Sequence, residues 1–432
     1  MRALALDQIV EAGLCIGCGL CQSLAGHQRV AMLDTVDGRQ RPVAVEPLDE
    51  PTLTLINSVC PGVRVDGADR RRLAPGTQFD RIWGPAATLV IGHASDPQLR
   101  HEGSSGGVLS ALAEHMLKSG EVEMVLHVAA SARRPARTVA HVSTDRAQLL
   151  RAAGSRYGPA APLVDLAEIL ARGRPFAFIG KPCDVSAIRA LARVDPRVDE
   201  QLRYALAMVC GGASDLTKTW QALERLGIGE QELSELRYRG RGCPGPMRVA
   251  TSGGEVRELS YEQMWGDESA WRLQSRCMIC PDPLGDSADI VAGDCWEGGS
   301  PAGEDEGFNA ILVRTERGQR LFGEAVRTGA LVIDRPIGFR DMDRFQPHQV
   351  RRRRAVWARL VGMRAAGLPT VRARGLRLRS LAIGRPPWEL VREAYGAHRR
   401  ARSGRLGEAP PVPERDRASA PGGARGLEPP AS

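Results

Sequence analysis

Aromatic residues are scarce, at 4% of the 432 positions. Single-stranded nucleic acids are gripped by stacked aromatic rings, so this scarcity argues against such a binder. Nowhere do eighteen apolar residues run together, and no transmembrane helix is expected. Met1 to Glu11 has neither a basic opening nor a long apolar run, so no signal peptide is expected there. No H-E-x-x-H pair is present to suggest a zinc hydrolase. The charge excess is modest for this length, +8 from 59 basic and 51 acidic residues, and arginine is concentrated in the last hundred positions. Arg351 to Arg354 and the run from Arg372 to Arg379 could face phosphate, but a solvated helix face followed by a basic tail accounts for them more simply. The reading is therefore of a chain with no nucleic-acid partner and no membrane span.

What the chain does have is cysteine, ten in all. In a chain of this size they read as metal ligands or redox groups rather than disulfides, which implies a reducing, cytoplasmic setting. Cys15, Cys18 and Cys21 are each separated by two residues, and Cys60 is followed at once by Pro61. Three thiolates on one glycine-containing loop can wrap a corner of an iron–sulfur cube, with a remote Cys-Pro as the fourth ligand. Gly17 and Gly19 let the backbone approach inorganic sulfide. A [4Fe–4S] cluster is the leading reading; zinc, which gains nothing from a third thiolate at this spacing, and unligated thiols are the alternatives.

In order, residues 1–75 read as the cluster module, with β-like text at Val43–Val45 and Leu53–Ile56. Gly62 to Gly84 reads as a linker. Strands are expected at Thr88–His93, Met124–Ala129, Thr138–Ser143, Phe176–Gly180, Arg203–Val209, Ile290–Gly293 and Ala310–Arg314, with helices between them. The alternation predicts an α/β fold, a mixed, mainly parallel sheet spanning 85–335. A small β-rich insertion is expected at about 233–260, basic helices at 337–400 and a disordered tail at 401–432.

Ligands of such sheets bind in the loops that follow strands. Gly103-Ser104-Ser105-Gly106-Gly107 opens a helix and could hold a phosphate, although it lacks the P-loop and dinucleotide fingerprints. Cys183 and Cys210 each follow a predicted strand, and Cys277 and Cys280 form a second two-residue-spaced pair. These four are selected as a second cluster, with Cys243 in reserve and Cys295 read as buried structural sulfur. Free cysteine is also a common small core residue, and that alternative stays open.

Taken together, these motifs resemble the beta-subunit family of coenzyme F420 hydrogenase/dehydrogenase, which includes 7-hydroxymethyl chlorophyll a reductase and the ferredoxin-type 8-vinyl reductase. The likeness spans roughly residues 10–370. It rests on Cys15-x2-Cys18-x2-Cys21 with Cys60-Pro61, Gly103–Gly107, Gly154–Gly158, Gly180-Lys181-Pro182-Cys183, Cys210-Gly211-Gly212 and Cys277-x2-Cys280-Pro281-Asp282 with Ala288-Asp289-Ile290. The resemblance implies an FAD enzyme with one or two [4Fe–4S] clusters, its flavin touched by Gly103, Ser104, Ser105, Gly106 and Gly107 and by Ser155, Arg156, Tyr157 and Gly158. Lys181 near the flavin would stabilise a reduced, anionic ring. Electrons would enter from a ferredoxin-like donor at the first cluster and leave to a small organic substrate or F420. An electron-transfer subunit docking to a catalytic partner is the alternative, and a homo-oligomer or partner subunit is compatible with either. No residue is assigned a catalytic role, and Cys243 stands where family members carry an aromatic side chain.

Overall fold

A computed structural model describes residues 3–267, 271–408 and 411. Its centre is one eight-stranded sheet. We number the strands β1 (Thr88–Ala94), β2 (Met124–Ala130), β3 (Thr138–Ser143), β4 (Phe176–Gly180), β5 (Leu202–Met208), β6 (Ile290–Asp294), β7 (Asn309–Val313) and β8 (Leu331–Pro336). Their order across the sheet is β8-β1-β7-β6-β5-β4-β2-β3. The sheet is mixed. Its parallel part is the run β6-β5-β4-β2; β7, β1 and β8 are added in turn on one side, and β3 on the other, each by antiparallel pairing.

Strand residues alternate between two cores, as the period of two requires. Phe176, Phe178, Ala205, Ala207, Val291 and Leu312 fill one face together with Val185, Ile188 and Leu191. Ala177, Tyr204, Leu206, Ile290, Ala292 and Ile311 fill the other, against Val108, Leu112, Met116 and Leu321. The first set is covered by α2 (Pro182–Leu191), the second by α1 (Val108–Lys118). Both faces are therefore buried, the arrangement expected where parallel strands run through the middle of a sheet.

The N-terminal residues do not stand apart. Ile9, Val10, Leu14 and Cys15 share an apolar cluster with Val356, Leu360 and Met363 of α3 (Pro347–Ala365) and with Ala397 of α4 (Pro387–Arg402). Arg64–Asp66 pairs in parallel with Arg372–Arg374, closing the chain's beginning onto its end. Outside the central sheet, Leu233–Arg237, Met247–Thr251 and Val256–Leu259 form a small antiparallel sheet.

Three local expectations are corrected. Leu53–Ile56 lies within a helix, Glu50–Val59, rather than a strand. Its alternating Thr and Leu suggested a strand, but the Asp49 carboxylate caps the first turn through the Thr52 N–H, and Pro51 sits where a helix tolerates proline. The 62–84 segment is no loose linker: Val63, Val65, Ala74, Ile82 and Trp83 are buried, and the Trp83 indole donates to Asp343 at 2.8 Å. The expected tail from Ala401 begins inside α4, and its first residues are packed. Leu406 is 2% exposed, and Glu408 accepts from the buried Arg41 Nε at 2.6 Å. Most of the remaining tail, 409–410 and 412–432, lies outside the described residues.

Leu406 tests this closure. Leu406→Ala removes a buried side chain from the cluster that contains Cys15, and should lower stability by about 2 to 4 kcal/mol in urea titrations. Truncation before Gly404 should lower the thermal midpoint as well. An unchanged midpoint in both would mean that the segment contributes no packing.

Candidate functional site

The Cys15–Cys21 loop folds around a small cavity lined by Cys15, Cys18, Cys21 and Cys60. Cys21 stands in the first turn of a helix, Leu20–Ala25, and Cys60 caps the end of Glu50–Val59. The loop needs its glycines: Gly17 and Gly19 have φ of +74° and +83°, and a Cβ on Gly17 would meet the Gln40 carbonyl oxygen at 2.6 Å. The Gly17 N–H donates to the Cys15 sulfur at 3.3 Å. Ile16, Leu20, Ile56 and Val59 supply the apolar part of the wall. Burial pushes these thiols up in pKa, Cys60 to about 11, where the neighbouring Cys15 adds to burial and Arg276 opposes it.

A second small cavity is lined by Cys183, Cys210, Cys277 and Cys280. Two elements of topology bring them there. β4 and β5 are parallel, so Cys183, in the first turn of α2, and Cys210, just past β5, lie at the same sheet edge. The Ser275–Met278 helical turn then covers that edge, and Gln274 N–H bonds to the Ala213 carbonyl at 3.1 Å. The Ala213 N–H donates to the Cys277 sulfur at 3.4 Å. Cys243 and Cys295 line neither cavity. Cys243 is buried and bonded through its carbonyl to the Asp305 N–H at 2.7 Å.

Among the described residues, no three His, Cys, Asp or Glu side chains converge as a single metal ion would require. Each cysteine cavity nonetheless brings four thiols to one small space, a donor set that could hold a metal–sulfur group. The surrounding charge also fits. Arg276 is 1% exposed, donates to the Pro61 carbonyl at 2.8 Å and has no hydrogen-bond partner for its Nε. Arg352 donates to the carbonyls of Gly211 at 2.5 Å and Cys277 at 3.0 Å. Neither makes an ion pair among the described residues; both lower the pKa of Cys280, against the larger effect of burial. Arg276 and Arg352 therefore leave positive charge beside the second cysteine set.

The basic run of α3 is thus not only a solvated face. Arg351 and Arg354 are exposed, but Arg353 is fully buried and donates to the carbonyls of Pro281 and Leu376. Arg359 donates to the Met278 carbonyl at 2.8 Å, and Gln349 to the Cys210 carbonyl at 2.9 Å. These side chains staple the cysteine loops to the helix. Sequence reading missed them because a run of four arginines looks solvated, and only helical phase sets apart those that turn inward.

The third space is a larger cleft of about 1510 Å³, partly open to solvent, at the C-terminal ends of β4, β5 and β6. Gly103, Ser104, Ser105, Gly107, Ser155, Arg156, Tyr157, Gly158 and Lys181 line it. Gly106 stands behind them, its carbonyl accepting from the Ala94 N–H at 2.7 Å. The two glycine loops meet where the Ser155 N–H donates to Ser104 Oγ at 2.6 Å. Val108, Leu109, Ile179, Met208 and Val209 give the cleft an apolar side. Arg156 points its guanidinium at the backbone, donating to the carbonyls of Leu236 at 2.7 Å and Pro135 at 2.8 Å.

Sequence reading also missed Arg239 and Asp294, whose pair at 3.1 Å ties the small antiparallel sheet to the end of β6. Arg239 also donates to Tyr157 Oη at 3.0 Å and to the Ser104 carbonyl, bridging both loops. No local motif marks it; it lies in a Gly- and Arg-rich stretch that reads as loop. His127, also in the cleft, is pushed down in pKa to about 4 by burial and by His141, so its imidazole is neutral at pH 7.

The three spaces adjoin one another. Ile16 lines both cysteine cavities. Lys181, Cys210, Gly212 and Ala213 line both the second cavity and the cleft. Lys181 Nζ pairs with the buried Asp184 at 2.6 Å. Burial works against the Lys181 charge, but Asp184 and the thiols of Cys183 and Cys210 outweigh it and hold the ammonium above its usual range.

Residues 89–168 match the family model for the N-terminal part of the coenzyme F420 hydrogenase/dehydrogenase beta subunit, and residues 173–337 match that for its C-terminal part. Together these exceed half of the chain, and they include the cleft loops and the second cysteine set but not Cys15 to Cys60. Over 56% of its length the chain is 23% identical to the beta subunit of F420-dependent formate dehydrogenase 1 from Methanococcus maripaludis, covering 60% of that protein. Over 73% it is 22% identical to the coenzyme F420-dependent sulfite reductase of Methanocaldococcus jannaschii, covering 46% of it. The chain thus spans about half to three fifths of the length of these relatives. Among solved structures, a chain of the F420-reducing [NiFe] hydrogenase complex from Methanosarcina barkeri aligns at 20% identity and a TM-score of 0.48, over 64% of this chain and 95% of that one. The protein belongs to the coenzyme F420 hydrogenase/dehydrogenase beta-subunit family.

Proposed function

We propose that the protein is an electron-transfer oxidoreductase. In this reading Cys15, Cys18, Cys21 and Cys60 hold one [4Fe–4S] cluster, and Cys183, Cys210, Cys277 and Cys280 hold a second. The cleft between the glycine loops holds FAD. The observation that carries the reading is contiguity: two four-thiol cavities share Ile16, and the second shares Lys181 and Cys210 with the cleft. A flavin exchanges electrons as a pair or singly and a cluster one at a time, so the two together connect one-electron and hydride chemistry.

The chain's own groups favour that use. Arg276 and Arg352 offset the negative charge of the second cysteine set. The N–H groups of Gly17 and Ala213 donate to cysteine sulfur, a contact that tunes cluster potential. Lys181 brings a fixed ammonium to the wall between the second set and the cleft, where reduction would add negative charge. Ile179, Met208 and Val209 exclude water from one side of the cleft. A ferredoxin-like donor would supply electrons, and F420 or another small organic molecule would accept them; the relatives' names, which specify F420 dependence, support the deazaflavin.

A second reading has one observation in its favour: the formate dehydrogenase relative is a beta subunit. In that reading the chain passes electrons to a catalytic partner and has no substrate of its own. Reduction of F420 by the purified, reconstituted chain alone, with dithionite as donor, separates the two.

Two outcomes test the cofactor assignment. Cys18→Ser and Cys277→Ser should each lower iron content by about four atoms per chain, and together by about eight, measured after anaerobic reconstitution. Loss of all iron in either single variant would mean that the two sets are not separate sites. Lys181→Met should leave iron unchanged but lower the flavin reduction potential, with Lys181→Arg recovering part of the difference in spectroelectrochemical titrations. An unchanged potential would remove Lys181 from the flavin's surroundings.

A further inference from the structure

The outer face of α4 carries an apolar stripe that nothing among the described residues covers. Trp388, Val391 and Tyr395 are 61%, 66% and 65% exposed, and Ile383, just before the helix, is 73% exposed. The helical positions i, i+3 and i+7 fall on one side of a helix. Only three large aromatic side chains are strongly exposed among the described residues, and two of them are Trp388 and Tyr395. The Arg392 guanidinium lies 5.3 Å from the centre of the Trp388 ring, so one cation and one ring are already arranged together.

Charge on this face has one sign. From Arg379 to Arg405 there are seven arginines and two glutamates. Both glutamates are tied, Glu389 to Arg385 at 2.9 Å and Glu393 to Arg359 at 2.8 Å. Arg392, Arg399, Arg402 and Arg405 are exposed. Exposed aromatic and apolar groups interleaved with arginine on one helix face match the composition of protein interfaces. A nucleic-acid surface would be more polar, without this share of large apolar groups, and a second copy of this chain would bring like charge against like.

The face is also well placed. The inner side of α4 contributes Ala397 to the cluster that contains Cys15 and packs against Cys60. The helix is held rigidly: a Cβ on Gly362 of α3 would lie 2.0 Å from the Ala394 carbonyl oxygen, so the two backbones are in contact. We infer that the Trp388–Tyr395 face of α4 is the docking surface for an acidic electron-carrier protein, which it seats one helix away from the first cysteine set. The inference rests on the electron-transfer reading above and supplies its point of entry.

The test uses the full, reconstituted chain and an acidic two-cluster bacterial ferredoxin as probe, with binding followed by calorimetry. The ferredoxin should bind at 20 mM salt and at least tenfold more weakly at 500 mM, where the screening length falls to a few ångströms. Val391→Ser with Tyr395→Ser should weaken binding at least tenfold, as should Arg392→Glu with Arg399→Glu. Arg320→Glu, on an exposed helix elsewhere, should not. All of these side chains are exposed apart from their outer contacts, so unchanged circular dichroism is expected and serves as the folding control. No binding at low salt, or binding indifferent to both double variants, overturns the proposal. So does self-association abolished by Val391→Ser with Tyr395→Ser, or binding to anionic vesicles or single-stranded RNA in place of the ferredoxin. If the chain carries its iron and flavin and ferredoxin does not bind, only the docking proposal fails. If it carries neither, the functional reading fails whatever the binding experiment gives.

Discussion

Parallel pairing of β4 with β5 and of β5 with β6 is the constraint on which the rest depends. Parallel strands must end at the same edge, and here that edge receives Cys183, Cys210, the glycine loops and Asp294 at once. Crossover connections put helices on both faces, and the two alternating cores follow. With both faces buried, the carboxyl edge is where the sheet can open to a ligand. The second cysteine cavity and the cleft are two parts of that opening, separated by Lys181 and the Cys210 loop.

A group of buried arginines then fixes what the sheet cannot reach. Arg41, Arg276, Arg314 and Arg353 are all 1% exposed or less. Arg314 donates to the carbonyls of Trp83 at 2.9 Å and Leu284 at 2.8 Å; Arg353 reaches Leu376 and Pro281. Each joins segments far apart in the chain through a planar fork that can serve several carbonyls together. Loops rich in glycine and cysteine cannot build a hydrophobic core of their own, so their backbone acceptors need such donors. Two of these arginines also leave positive charge beside buried thiols, Arg41 at Cys15 and Arg276 at Cys60 and Cys280.

The two ends of the chain are one structural unit. α3 and α4 share an apolar cluster with Cys15, Arg64–Asp66 pairs with Arg372–Arg374, and Leu406 joins the same cluster, its backbone against Gly13. The Glu408 carboxylate then balances Arg41, which is buried beside Cys15. This closure lies outside the part of the chain that the family models match, so it adds to the common α/β body a region where surface helices and buried cysteines are back to back.

By itself the sequence determined whatever depends on spacing along the chain. Cys15, Cys18 and Cys21 sit on one short loop, and no fold can move them far apart. The apolar runs of β4 to β7 and the glycine loops after β1 and before Leu166–Ala171 were likewise local signals. Tertiary structure decided the rest. Cys183, Cys210 and the Cys277 pair are tens of residues apart, and only strand order and the fold-back of Ser275–Met278 place them around one cavity. Strand-like text at Leu53–Ile56 became helix because capping and packing of Ile56 and Val59 outweighed alternation. The arginines of α3 divided into solvent-facing Arg351 and Arg354 and inward Arg352 and Arg353 because a helix turns each successive side chain by about 100°. Composition counts charges, but where each one points is set by the helix and by what packs against it.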